Sequence, residues 1–224
     1  MPDYIIGATE ADTPVFTTRR LGDVFPRLII TGDGEIRQGD GTTPPSEVKR
    51  VYGESLDDGQ MVIPRLIANG SVSMTSGTVV LTSFVGDKTE PITKISASTW
   101  STAAGATPTL CKMGIYSLAA NGDATLVASS ANDTTLFAGT FAWYQRNLTS
   151  TWNKVEGQRY AGATLVVSGA TMPTMHGISN LQGTDITFLP FLSMSRTGQT
   201  DLPASILFSN MVSYGGAIQY ALRR

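Results

Sequence analysis

The sequence predicts an all-β protein: an extended N-terminal arm that carries a β-hairpin, followed by an antiparallel β-sandwich of jelly-roll-like type. Three observations predict it. Short runs rich in Val, Ile, Thr and aromatic residues recur from about residue 78 onward, separated by Gly, Asn and Asp turn signals every 8–15 residues. No stretch sustains a 3.6-residue apolar period, so almost no helix is expected. Charge also thins out along the chain. Residues 1–65 hold 11 acidic and 7 basic side chains, whereas residues 66–224 hold 7 and 9, with 40 Ser and Thr among 159 positions. That shift places the expected boundary at residue 65, between an arm (1–65) and a sandwich (66–224).

Residues 1–27 show little periodicity and are punctuated by Pro2, Pro14 and Pro26. Each proline restricts the residue before it to extended geometry, so this piece reads as extended arm. The next stretch, RLIITGDGEIRQGDGTTPP, reads as a hairpin. Leu28 to Thr31 forms one strand, Gly32-Asp33-Gly34 turns the chain, and Glu35 to Gln38 returns. Asp-Gly turns favour hairpins because glycine tolerates positive φ. Gly39-Asp40-Gly41 makes a second turn, and Pro44-Pro45 forces extended chain again. Residues 46–60 are polar and read as a linker. Met61 to Ile67 is apolar but broken by Pro64, which suits at most an edge strand.

The expected strands of the sandwich are Thr78–Phe84, Thr93–Trp100, Leu110–Leu118, Ala124–Ser129, Phe141–Leu148, Tyr160–Val167 and Ile218–Arg223. Asn121-Gly122 is the clearest hairpin turn among them. Residues 169–217 read as long loops that carry function or pack along the sandwich or a neighbouring chain. Within them FLPFLSM (188–194) is expected to be buried between subunits, since it would be a sticky patch if exposed.

Composition excludes several classes. A net charge of −2 gives no basic field for nucleic acid. No apolar run approaches the length of a membrane span, so no membrane insertion is expected. The N-terminus lacks the pattern of a secretory signal, which points to assembly in a cytoplasm. A single cysteine, Cys111, cannot form an intrachain disulfide and reads as a small buried residue. The one histidine, His176, reads as structural or surface. No phosphate loop, dinucleotide fingerprint or nucleophile elbow is present, and no cofactor is expected.

The acidic hairpin departs from the EF-hand template, with Arg37 and Gln38 where a ligand and a glycine belong. Asp33, Gly34, Asp40 and Gly41 therefore read as turn chemistry in an attachment hairpin, the alternative being a looser calcium site from Asp33, Glu35 and Asp40. Asp87, Glu90, Asp123, Asp133, Glu156, Asp185 and Asp201 are the carboxylates a glycosidase would draw on. Most lie in turn signals, so no catalytic residue is expected. Ligand or subunit contact falls to the aromatic residues: Trp100, Trp143, Tyr144 and Trp152. Trp143 and Tyr144 are adjacent, so in a strand one faces the core and the other solvent, a ligand or a partner.

Two stretches carry a resemblance. RLIITGDGEIRQGDGTTPP, and residues 75–205 through AAGATPTLCKMGIYS, TSTWNKVEGQRYAGATLVV and GQTDLPAS, resemble minor tail and tail-fibre-like proteins of long-tailed phages infecting actinobacteria. The resemblance implies a β-sandwich head on an arm, commonly a homotrimer, built into a virion in the host cytoplasm among other virion proteins. It implies no catalytic residues. The chain lacks a coiled-coil or collagen-like shaft, so the expected role is a compact minor tail protein at the tail tip that contacts host-surface glycans. A capsid decoration or head-fibre protein is the alternative reading, and a glycan-cleaving virion enzyme the third.

Overall fold

A computed structural model of the chain describes residues 59–63, 68, 70–105, 108–179 and 192–224, together with the backbone of short strands before residue 57. In chain order the strands are β1 (Asp3–Ile6), β2 (Pro14–Arg19), β3 (Leu28–Thr31), β4 (Ile36–Gln38), β5 (Ser55–Leu56), β6 (Gly59–Met61), β7 (Gly70–Ser73), β8 (Val79–Val85), β9 (Glu90–Ser98) and β10 (Leu110–Leu118). They continue as β11 (Ala124–Ser129), β12 (Trp143–Lys154), β13 (Arg159–Val167), β14 (Thr174–Ser179), β15 (Ser193–Arg196), β16 (Ser205–Ile206), β17 (Val212–Ser213), β18 (Gly216–Ile218) and β19 (Tyr220–Arg223). The helical element among the described residues is a 3₁₀ turn at Phe208–Asn210, and no helix is long and apolar enough to cross a membrane.

The chain divides into two compact units, Met1–Ser55 and Leu56–Arg224. The first holds an antiparallel meander, β1-β2-β3-β4. The expected hairpin is present as β3 paired with β4, Ile30 opposite Ile36. Its turn residues Asp33 and Gly34, and Asp40 and Gly41 beyond it, lie outside the described residues. Within the stretch expected as extended arm, the described backbone is extended and paired, β1 with β2, Asp3 opposite Arg19. Pro14 does not prevent this, because the first residue of a strand tolerates a missing N–H.

The second unit is a sandwich. One layer is a seven-stranded sheet in the order β16-β11-β10-β13-β8-β15-β17. The other is made of a five-stranded sheet, β12-β9-β19-β6-β5, and a three-stranded sheet, β18-β14-β7. A bridge between Thr99 and Met175 joins these two. Side chains from both layers meet in one core: Val80, Met113, Ile115 and Tyr160 from the large sheet, Ile92, Ile95, Trp152, Tyr220 and Leu222 from the five-stranded one, and Val72, Met175 and Ile218 from the third. Tyr220 fills the centre. Its hydroxyl lies 2.8 Å from Thr164 Oγ1, and its ring packs over Gly162, where a Cβ would sit 2.6 Å from Tyr220 Cδ2.

The large sheet is buried on both faces. On β13, Tyr160 and Val166 join the inter-layer core while the intervening Ala161, Ala163 and Leu165 join a second cluster with Val79, Leu81 and Tyr116. The segment 197–211 covers this outer face, contributing Leu202, Ile206 and Met211. Tyr116 donates to Pro203 O at 2.8 Å and Lys112 pairs with Asp201, which fasten the segment down. The described parts of residues 169–217 thus pack along the sandwich, and they contain β14 to β17 and the start of β18. In the run 188–194, residues 188–191 lie outside the described residues, Leu192 is exposed and Met194 is buried in β15.

The expected boundary at residue 65 lies inside the sandwich. β6 sits between β19 and β5, with Met61 opposite Ala221, and Gln60 is buried. It is an interior strand that ends at Met61, and Pro64 lies outside the described residues. β10 and β11 form the hairpin expected at Asn121-Gly122, Leu118 opposite Ala124, with Gly122 at φ 89°.

Candidate aromatic face of the minor layer

Alternation along β9 decides which residues look outward. Ile95 and Ala97 point into the core, so Lys94, Ser96 and Ser98 lie on the other face. Trp100, two residues beyond Ser98, continues that face. β12 runs alongside, with Trp143 opposite Ser98, Gln145 opposite Ser96 and Asn147 opposite Lys94. On the far side of β9, Ala221 lies opposite Ser96 and Arg223 opposite Lys94. β14 adds His176, which alternates with the core residue Met175.

Four rings gather at one end of this face. Trp100 stacks on His176, centroids 5.0 Å apart and planes 9° from parallel, and meets Phe141 edge-on at 5.5 Å. Phe141 is 69% exposed and Trp143 is 51% exposed. The loop that presents Phe141 is held in a tight form. Phe141 has φ 49°, a left-handed conformation that a bulky residue adopts only when its surroundings impose it. Its N–H donates to Trp100 O at 2.9 Å, Thr99 Oγ1 donates to Gly139 O at 2.6 Å, and Tyr144's hydroxyl accepts from Gly139 N–H.

The His176 tautomer follows from its partner. Buried Gln219 donates through Nε2 to Ile63 O at 3.0 Å, so its Oε1 faces His176 Nδ1 at 3.1 Å. Nδ1 therefore carries the proton in the neutral ring, and Nε2 is left as the acceptor.

The candidate aromatic residues separate cleanly. Trp143 faces out and Tyr144 faces in, where its ring meets Phe137 at 5.5 Å and 79°. Trp152 is 8% exposed and stands edge-on to Tyr160 at 4.6 Å, so it is a core residue and is removed as a contact candidate. The register of β9 and β12 slips between Asn147 and Trp152, and that slip returns Trp152 to the inner face. Trp100 and Trp143 share the outer face with Phe141 and His176, which the sequence reading left aside. The signal for them was the spacing Phe141-x-Trp143, but nothing local ties residue 176 to residue 100.

The carboxylates are held elsewhere. Lys154, whose side chain is fully buried, donates to Glu90 Oε1 at 2.7 Å, to Gln60 Oε1 at 3.1 Å and to Asp87. Glu90 Oε2 also takes Arg224 at 2.7 Å and Lys88 at 3.3 Å. Burial works to raise the Glu90 carboxyl, but the hydrogen bonds from Lys154 and Arg224 and the Lys154 charge hold it below the usual glutamate value. Asp133 accepts from Thr135 and pairs with Arg146, which lowers its carboxyl too. Asp123 caps Phe208 N–H at 2.7 Å, and Asp201 caps Leu202 N–H and binds Lys112. Asp185 lies outside the described residues. A glycosidase acid needs a raised carboxyl beside open space. Glu90 and Asp133 have the opposite setting.

No protein-family model matches the chain, and no curated protein matches it.

Proposed function

We propose that the chain is a virion structural protein of a long-tailed phage, placed at the tail tip as a minor tail protein, whose sandwich contacts host-surface glycans. The observation that carries the contact is the outward cluster of Trp100, Phe141, Trp143 and His176 on a rigid sheet. Aromatic faces stack on the apolar side of sugar rings while their edges stay in water. The virion reading is supported by the resemblance of RLIITGDGEIRQGDGTTPP and of residues 75–205 to phage minor tail proteins. A separate N-terminal unit, Met1–Ser55, suits attachment to other virion proteins.

The mode is binding without turnover. Individual glycan contacts on an open face are weak, and several copies, as in a homotrimer, multiply them into useful avidity. The cation-bound carboxylates favour this reading over a glycan-cleaving enzyme. A capsid decoration protein would use the same architecture at another place on the particle.

Antibody labelling of intact particles, with serum against residues 70–224 and negative-stain electron microscopy, tests the position. Label at the tail tip is expected. Label over the head would replace the reading with capsid decoration, and unlabelled particles would overturn the virion reading.

A further inference from the structure

Lys154 is a primary amine enclosed with two carboxylates. Its side chain is 0% exposed, and its Nζ lies 2.7 Å from Glu90 Oε1 and 2.5 Å from Asp87 Oδ1. Glu90 is 1% exposed and Asp87 21%. Taking such charges out of water is costly, and their mutual attraction often falls short of offsetting it. Condensing the amine with one carboxyl removes two charges and leaves a neutral amide.

The backbone holds the three groups in place. Lys154 and Glu90 are register partners on β12 and β9, and Asp87 sits in the turn between β8 and β9. That turn is docked on the turn between β12 and β13. Gly86 N–H donates to Gln158 O and Gly157 N–H donates to Gly86 O, both at 2.9 Å. Glu156 N–H donates to Thr89 Oγ1 at 3.1 Å. The approach is close enough that a Cβ at Gly86 would meet Val155 O at 2.4 Å. Gln60 braces the site from β6, donating through Nε2 to Val85 O at 2.8 Å while its Oε1 accepts from Lys154. With Nζ 2.5 Å from Oδ1 and a C–O bond of about 1.2 Å, Nζ lies at most about 3.7 Å from Asp87 Cγ. A near-attack contact is about 3–3.5 Å.

The two carboxylates are placed for different roles. Glu90 meets Lys154 through Oε1 and Arg224 and Lys88 through Oε2, so three cations keep it a carboxylate, a poor electrophile but a ready proton acceptor. Asp87 stands at the rim, where a released water reaches solvent.

We propose that Lys154 and Asp87 condense to an intramolecular isopeptide bond, with Glu90 as the proton carrier. Nζ gives a proton to Glu90 and attacks Asp87 Cγ, forming the N–C bond. Glu90 hands that proton to one Asp87 oxygen, takes a second from the nitrogen and delivers it to the same oxygen. The C–O bond then breaks and water leaves. An ammonium and a carboxylate become an amide and one water, Glu90 ends as it began, and no oxidant or reductant is involved. Oriented groups act at effective concentrations of about 10⁵–10⁸ M, which drives a condensation that free amines and acids in water do not undergo. The bond ties the crossing from the large sheet to the other layer to the end of β12, between positions 67 apart in the chain. It restricts the unfolded chain as a disulfide would, in a protein with a single cysteine. The inference is independent of what the aromatic face binds.

Intact-mass spectrometry of the full-length chain, purified folded and then denatured, tests it. A mass one water below the sequence value, counted with or without Met1, is expected. Trypsin does not cut after an acylated lysine, so digestion should yield residues 66–88 joined to residues 147–159 in one branched peptide. Lys154→Arg and Asp87→Ala should show their full sequence masses, and Glu90→Gln should remain mostly uncondensed. The wild-type mass decides the proposal even where a variant fails to fold. A full sequence mass in the folded wild type would overturn it. So would a water loss that persists in Lys154→Arg, or one that maps to Asp33-Gly34, Asp40-Gly41 or Asp58-Gly59, pairs that dehydrate to succinimides unaided. A branched peptide joining residues 147–159 to residues 89–94 would give the bond to Glu90 and overturn the assignment to Asp87.

Discussion

Lys154 and Glu90 form an ion pair inside the sandwich, Nζ to Oε1 at 2.7 Å, with side chains 0% and 1% exposed. The pair ties the end of β12 to the start of β9. Through Gln60 it also reaches β6, and through Arg224 the C-terminal residue. Removing one partner of a buried pair costs about 3–5 kcal/mol. Here Asp87 stays beside Lys154, and Arg224 and Lys88 stay beside Glu90, so the low end of that range, about 3 kcal/mol, is expected. Lys154→Met and Glu90→Gln should both lower the unfolding free energy by about that much, seen as a lower urea midpoint at an unchanged denaturant slope. The double variant Lys154→Met/Glu90→Leu should recover part of the loss. Single variants that unfold like wild type would refute the role.

The same network sets an acid limit. Glu90 and Asp133 are held below their usual values, so in the folded protein they stay charged at pH values where the unfolded chain has taken up protons. Their stabilisation is complete above the ordinary carboxylate range and is lost as pH falls through the folded values. Thermal melts should be flat from about pH 7 to about pH 5 and fall steadily below about pH 4. Glu90→Gln should start lower and fall less steeply. Equal slopes for the two proteins would show that Glu90 does not contribute.

Two tryptophans nine residues apart should behave oppositely. Trp152→Ala removes a core ring packed on Tyr160 and should cost about 3–5 kcal/mol. Trp143→Ala removes an exposed ring and should change stability by less than about 0.5 kcal/mol. Chemical denaturation of both variants checks this. A Trp143→Ala protein that lost several kcal/mol would mean that the ring is structural.

Cys111 should be silent in the folded protein. It is fully buried on β10, and burial, with the nearby Asp133 charge, pushes its thiol up to about 11. Thiolate is the reactive form. Titration with a thiol reagent at pH 8 should find no reactive group in the native state and one equivalent in denaturant. Fast native labelling would show that β10 opens readily.

Fragments should report the boundary. Residues 56–224 keep β6, Gln60 and the Met61–Ala221 pairing, and should unfold cooperatively. Residues 66–224 lose all three and leave Lys154 with one acceptor fewer, so they should unfold at clearly lower urea. Equal midpoints would restore the boundary to residue 65.

The strands that matter most to the core were legible locally. Leu110–Leu118 and Ala124–Ser129 have the bounds their β-rich runs suggest, because the turn residues between them stop both strands. The opposite faces of Trp143 and Tyr144 followed from strand alternation alone. β14 was illegible, since Thr174-Met-His-Gly-Ile-Ser carries a glycine and becomes a strand only by pairing with β7 and β18. β6 was hidden in a polar linker, because a three-residue strand gains its stability from Ala221, Leu222 and Arg223, some 160 positions away.

The sequence by itself determined the all-β class, the hairpin at Asn121-Gly122, the pairing of Leu28–Thr31 with the following strand, and the buried state of Cys111. Each depends on residue types within a few positions of one another. Only the tertiary structure decided that Trp152 is core, that His176 stacks on Trp100, that Lys94 faces Arg223, and that Lys154 gathers Gln60, Asp87 and Glu90. Those facts depend on strand register between segments far apart in the chain. Because the side-chain period of a strand is two, a slip of one residue would have sent each of these side chains to the other face.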